Sequence, residues 1–293
     1  MNRPCVHEKG VRIGQTHQAV SRLVIAVLGV LGPVAAHLAA QTIQAVALPP
    51  RQMAVDASPK FEVATIKPSN PDGQGQGFDI HGRHVTTVKT TVNNMMTFAY
   101  GLHAKQIVGG PEWLDSERFD VDGVPDVEGT PNLRQFRILI QTLLADRFEL
   151  VFHHDQRELS VYALTVGKSG PKLTQTVRKA NDLPDFSIGR LGALTATSVT
   201  MRDFCIGMQS VVMDKPVVDQ TGLTDRYDFA LTWTPDESQF IQMGTRIPPP
   251  RDDPNAPGGL FTAIQEELGL KLQGTTVPVE VLVIDHVERP SAN

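Results

Sequence analysis

Cysteine is almost missing from this chain, which carries only Cys5 and Cys205. Cys5 lies in a leading segment read below as removed, so Cys205 is left as the only thiol and an intrachain disulfide is excluded. Stability must then come from burial. A basic surplus is missing too. Residues 1–47 hold four basic residues against one acidic, so the remainder carries −8 where the whole chain carries −5. A net-acidic body without a Lys/Arg cluster excludes nucleic acid or anionic lipid as the main partner, because both need a basic footprint. Other catalytic signatures are also absent: there is no G-x-S-x-G elbow, no kinase set, and neither H-E-x-x-H nor C-x-x-C.

One uncharged apolar run is present, LVIAVLGVLGPVAAHLAA from Leu23 to Ala40. It follows a basic start (Arg3, Lys9, Arg12, Arg22 against Glu8) and precedes small residues, the layout of an export signal with a break after Ala40 or Ala47. A membrane anchor is the rival reading, since the run approaches the ~20 residues of a spanning helix. Pro33, His37 and the glycines weaken it. The expectation is a signal peptide over 1–47, export to the periplasm or beyond, and no stable membrane insertion after cleavage. The 246 residues after Ala47 suffice for one large domain or two small ones.

The remaining chain repeats itself. Glu117-Arg118-Phe119-Asp120-Val121 matches Asp225-Arg226-Tyr227-Asp228-Phe229, and Gln106-Ile107-Val108 matches Pro216-Val217-Val218. Upstream, the helical stretches 90–102 and 199–211 follow the N-caps Thr91 and Thr200, and HVTTVKT (84–90) pairs with ALTATSV (193–199). Downstream, LIQTLLADRFELVF (139–152) matches AIQEELGLKLQ (263–273), and LSVYALTV (159–166) matches VPVEVLVI (277–284). Phe148, Leu150 and Phe152 alternate as in a strand. Helices and strands mix without βαβ alternation, so the predicted class is α+β, an internal duplication with two copies related by a pseudo-twofold. The boundaries are 59–175, with an extra leading strand in 61–77, and 183–293. The second copy holds a proline-rich connector at 235–259, of a length that marks a functional or disordered loop. Disorder is the preferred reading.

Strand alternation puts Phe119 and Val121 inward with Arg118 and Asp120 on the other face, and likewise Tyr227 and Phe229 against Arg226 and Asp228. The Arg-x-Asp pairs read as weak exposed ion pairs on a scaffold, with a charged binding face as the alternative. Gly109-Gly110 and the GQGQG of 73–77 could cradle phosphate only before a helix, and a strand is expected after each. His81, His84, His103, His153 and His154 all fall in the first copy and only His286 in the second. A zinc or copper site among the first five is conceivable, but His153 and His154 are adjacent and would point apart. Cys205, beside Phe204 and Met208, reads as a small buried residue. No catalytic, cofactor or metal residue is assigned.

FEVATIKPSNPDGQGQGF, TFAYGLHAKQIVGGPEWLDSERFDVDG, LLADRFELVFH, VVDQTGLTDRYDFALTWTPD and the final LFTAIQEELGLKLQGTTVPVEVLVIDHVERPSAN together closely resemble the bacterial soil-associated protein family, a domain of unknown function expanded in acidobacteria. The resemblance spans about residues 59–293. It implies an exported protein, and relatives joined to membrane metallopeptidases of the antibiotic-sensor type imply a sensory or interaction role. It carries no catalytic residues. The unit from Leu260 to Ile284 also resembles the small βαββ modules of secretins and outer-membrane receptors, which implies protein–protein contact.

Three classes stay open: a non-catalytic extracytoplasmic module binding a small ligand or an envelope protein, a hydrolase or metal-dependent enzyme with its site in the first copy, and an envelope-assembly protein. A polar cleft between the copies would favour the first, converging histidines the second, and a smooth apolar strand edge the third.

Overall fold

A computed structural model describes residues 51–290 apart from 74, 180–181, 242–244 and 249–255. The segment read as an export signal lies outside the described residues. The fold is α+β, with three four-stranded sheets and five α-helices among the described residues. The first sheet has the spatial order β1 (Phe61–Pro68), β5 (Arg118–Pro125), β3 (His84–Thr91), β2 (Gly77–His81). Another repeats that order with β7 (Thr174–Gln175), β11 (Tyr227–Thr232), β9 (Ala193–Val199), β8 (Asp185–Arg190). Both are antiparallel throughout.

Each hairpin feeds a helix that starts on a threonine. Thr91 accepts the Asn94 N–H to open α1 (Val92–Tyr100), and Thr200 accepts the Asp203 N–H to open α4 (Met201–Gly207). Such a cap satisfies an amide that the helix cannot. α1 ends on Gly101, whereas α4 runs into a π turn, Met208–Val212. Then come the short strands β4 (Ile107–Val108) and β10 (Val217–Asp219). Among the described residues, the first half alone inserts a one-turn helix at this point, α2 (Trp113–Ser116), one residue after Gly109-Gly110-Pro111, where the sequence predicts a strand. Pro111 accounts for it, because its fixed φ suits a first turn and its carbonyl takes the Leu114 N–H.

Two long helix–strand pairs complete the chain: α3 (Leu133–Phe148) with β6 (Val151–Val166), and α5 (Leu260–Leu268) with β12 (Leu270–His286). Phe148 closes α3 and does not begin the strand. It lies one helical turn beyond Leu144, both are fully buried, and its ring meets Phe119 edge-on at 5.4 Å. β6 and β12 are each one continuous strand where the sequence shows two pieces. The middle segment of β6 is exposed on both faces, so no alternation marks it.

β6 and β12 pair antiparallel from Leu270↔Val166 to His286↔Val151, with Glu158 opposite Pro278. The third sheet has the order β10-β6-β12-β4. Here β10 joins β6 (Val217↔Tyr162) and β4 joins β12 (Leu282↔Ile107), both parallel. Each long strand therefore leaves the core where it began. Leu150 packs in the first core and Leu164 in the second, while Leu270 and Leu272 pack in the second and Leu282 in the first.

The repeated phrase holds β5 and β11 as its alternation predicts, with Phe119, Val121 and Tyr227 buried and Phe229 packed against the second core. Its charged face is not a pair of ion pairs. Asp120 accepts the Lys89 N–H at 2.9 Å while Arg118 donates to the Lys89 carbonyl at 2.8 Å. Asp228 likewise accepts the Ser198 N–H at 2.7 Å, and Arg226 donates to the Ser198 carbonyl at 3.2 Å. Lys89 (φ 50°) and Ser198 (φ 58°) are left-handed, and the pairing register slips beside each. The Arg-x-Asp phrase is thus a clamp on a β-bulge in the neighbouring strand.

The proline-rich connector read as disordered is anchored at its start. Phe240 is fully buried, its N–H bonds the Val212 carbonyl, and Gln239 accepts the Trp233 indole N–H at 2.6 Å. Its residues 242–244 and 249–255 lie outside the described residues.

Candidate functional site at the junction

Two clefts compete for the role. One, of about 710 Å³, lies beside the first bulge and is lined by Ser69, Lys89, Ser116, Glu117 and Arg118 among others. Its cations are already engaged: Lys89 Nζ donates to the Pro71 and Gly73 carbonyls, and Arg118 clamps the bulge. Glu117 is held by a forked bond from Arg289. These contacts read as scaffold.

The other cleft, about 500 Å³, lies where the halves meet. α4, the π turn and β10 supply Arg202, Cys205, Gln209 and Asp219, the first half supplies Gly101, Gln106 and Gln156, and β12 supplies Pro278 and Glu280. Its walls are tied by two buried amides. Gln106 donates to the Glu280 carbonyl and accepts the His103 N–H, and Gln209 donates to the Gly101 carbonyl and accepts the Val217 N–H. The π turn carries Gln209, and such irregular turns recur at functional sites. With every polar atom of these amides used, the frame is rigid and its chemistry falls to the groups that remain.

Those groups are Arg202, Asp219, Glu280 and Gln156. Arg202 is exposed and makes no hydrogen bond or ion pair among the described residues. Asp219 caps the turn at Thr221, and Glu280 meets His154 at 3.3 Å. Gln156 sits opposite Glu280 in the β6–β12 register. A cation that shares a cleft with two carboxylates and an amide can hold a small polar ligand by both signs of charge. Cys205 also lines the cleft, but burial pushes its thiol well above the ordinary value, so it is a poor nucleophile.

At the back of the junction His103 is buried and caps a 3₁₀ turn, Ala104–Gln106, through Nδ1 to the Lys105 N–H at 3.0 Å. Burial, helped by the Lys105 charge, lowers its pKa to about 4 against the opposing pull of Asp214 and the Met213 backbone. The imidazole is neutral at ordinary pH.

The five first-half histidines are dispersed. His81 meets Asp79, His84 meets Asp122, His153 meets Asp285 and His154 meets Glu280. His153 and His154 do point to different partners. Among the described residues, the one group of three potential metal ligands is Glu149, His286 and Glu288, which includes none of the five. Sequence reading singles out His286 but neither glutamate, and no motif or spacing flags Arg202, Gln156 or Glu280. They come together only through the strand crossing.

The fold and cleft define a two-core α+β protein joined by a shared central sheet. The chain belongs to the family described as "protein of unknown function (DUF3738)", which matches residues 93–287. No curated protein and no solved structure matches it.

Proposed function

We propose that the protein is an exported, non-catalytic binding module whose small polar ligand sits in the junction cleft. The observation that carries this reading is the lining of the cleft by both halves, with Arg202 unpartnered among the described residues beside Asp219 and Glu280. A guanidinium suits a ligand carboxylate, and the two acids suit an ammonium group or hydroxyls. The two halves are read as copies of one unit about an axis through the Glu158–Pro278 pair. The common strand order and the matched pairs Tyr162–Val217 and Leu282–Ile107 support that reading. Export to the periplasm or beyond rests on the layout of residues 1–47 and on the soil-associated family resemblance.

The enzyme reading loses support because the histidines disperse and Cys205 is buried. The envelope-assembly reading loses support because the outer part of β6 carries His153, Asp155 and Arg157, and charge blunts a strand edge. Saturation-transfer NMR with a pool of amino acids, dipeptides and small dicarboxylates tests the proposal. Expected is a signal from at least one compound that Arg202→Ala removes and His81→Ala leaves intact. Silence across the pool, or binding indifferent to Arg202→Ala, counts against it.

A further inference from the structure

At the C-terminal end of α3, away from the junction cleft, two carboxylates converge on one imidazole nitrogen. Glu288 Oε1 lies 3.2 Å and Glu149 Oε2 3.8 Å from His286 Nε2. Ligand atoms of the three residues lie within 4.8 Å of one another, and all three side chains are exposed. We propose that Glu149, His286 and Glu288 form a site for a late first-row divalent cation of the Zn²⁺ class.

Four features support the site. The first is the convergence itself. An imidazolium paired with two acids would best offer one N–H to each, whereas here both carboxylates crowd a single nitrogen, as ligands around a shared cation do. The second is Glu149, which caps α3 in the left-handed region at φ 51°. The corresponding cap of α5 is Gly269, in the same conformation, and it leads into a strand paired with Val166. Gly is the residue that geometry favours. A glutamate there weakens the cap and supplies a ligand atom, and that end of the second half has no matching His–Glu group.

The third feature is preorganisation. The Glu288 N–H bonds the Phe148 carbonyl at 2.7 Å. One residue on, Arg289 forks onto Glu117 and stacks over Trp113 at 5.0 Å. The register slip between Ile284 and His286 re-aims the imidazole at the end of β12. The tail that carries two of the ligands is thus pinned on either side of Glu288. The fourth feature is the field, because a helix C-terminus is the negative end of its dipole and favours a cation.

The ligand set decides the class of ion. Imidazole nitrogen suits zinc, copper and nickel, while calcium and magnesium take oxygen ligands. Three protein ligands leave at least one coordination position to solvent, which makes the ion exchangeable, unlike the closed shell of a structural site.

The test uses the untagged full-length chain, freed of metal with EDTA, titrated with ZnCl₂ and separately with MgCl₂ while Tm and binding heat are followed. Zn²⁺ is expected to raise Tm, and Mg²⁺ is not. His286→Ala and Glu149→Gln should each weaken zinc binding by about tenfold or more. Glu149→Gly gives an independent readout, since it should raise the metal-free Tm by relieving the cap while abolishing the zinc-dependent rise. His153→Ala and His154→Ala, which remove other exposed histidine–carboxylate pairs, should leave zinc binding unchanged. The site is refuted by a chain that ignores zinc, by a zinc response that survives His286→Ala, or by one lost equally in His154→Ala.

Discussion

Lys89 and Ser198 hold a backbone conformation that costs a residue with a side chain about 1–2 kcal/mol, and each is clamped by an aspartate and an arginine of the next strand. The aspartates matter more, because each satisfies a backbone N–H with a charge-assisted bond. Asp120→Ala should therefore cost about 2 kcal/mol, and Arg118→Ala, on the exposed side, about 1 kcal/mol or less, measured by denaturant melts. Beneath the clamp, Phe119→Ala and Tyr227→Ala should each cost about 3–5 kcal/mol as large-to-small core changes. Burial works against the Asp120 charge, but the Lys89 N–H and the Ser69 hydroxyl outweigh it and hold the carboxyl below its ordinary value. Its stabilisation is thus fully present above that ordinary value, about 3.9, and fades as pH falls through the lower folded one. The stability gap between the native chain and Asp120→Ala should close below about pH 4. A gap that stays constant there would show that the charge is not what matters.

At the scale of elements, the 3₁₀ turn at His103 makes the junction sensitive to acid. The folded chain resists protonating His103 until about pH 4, whereas an exposed histidine takes up a proton near 6.5. The unfolded chain therefore binds more protons between those values, and stability declines as pH falls from 6.5 towards 4. His103→Asn keeps a side-chain acceptor for the cap and removes the titration. Its urea-melt stability should vary less across that window than that of the native chain, and equal slopes would count against the assignment. Elements of this kind were only partly legible in the sequence. Thr91, Thr200 and the alternation of Phe119 and Val121 were visible because capping and pleat act locally. The continuity of β6 was not, since residues 153–158 bury neither face and are fixed only by their partner strand. Phe148 was ambiguous because its spacing to Leu144 fits a helix as well as its alternation with Leu150 fits a strand. The cleft was illegible for the same long-range reason: Gln106 and Glu280 are bonded across 174 residues.

For the whole molecule, the crossing of β6 and β12 makes each core depend on the other half. Leu282 completes the first core and Leu164 the second. Fragments 51–176 and 177–290 expressed separately should lack cooperative unfolding by circular dichroism, and the intact chain should melt in one transition. Two well-separated melts, or a folded isolated fragment, would show that the halves are autonomous. Limited proteolysis should cut first in the proline-rich connector between Phe240 and Gly259. The nicked pieces should stay together in gel filtration, because β12 remains paired along β6.

The crossing also sets a clock on synthesis. A ribosome that has finished the whole first half has not yet made Leu282 and Ile284, which that half needs to close its core. Contacts spanning so much of the chain form slowly and cannot precede the synthesis of β12. The first core therefore stays open until β12 has been made. A circular permutation that makes β12 early should remove that delay and let the first core close while the rest of the chain is still being made.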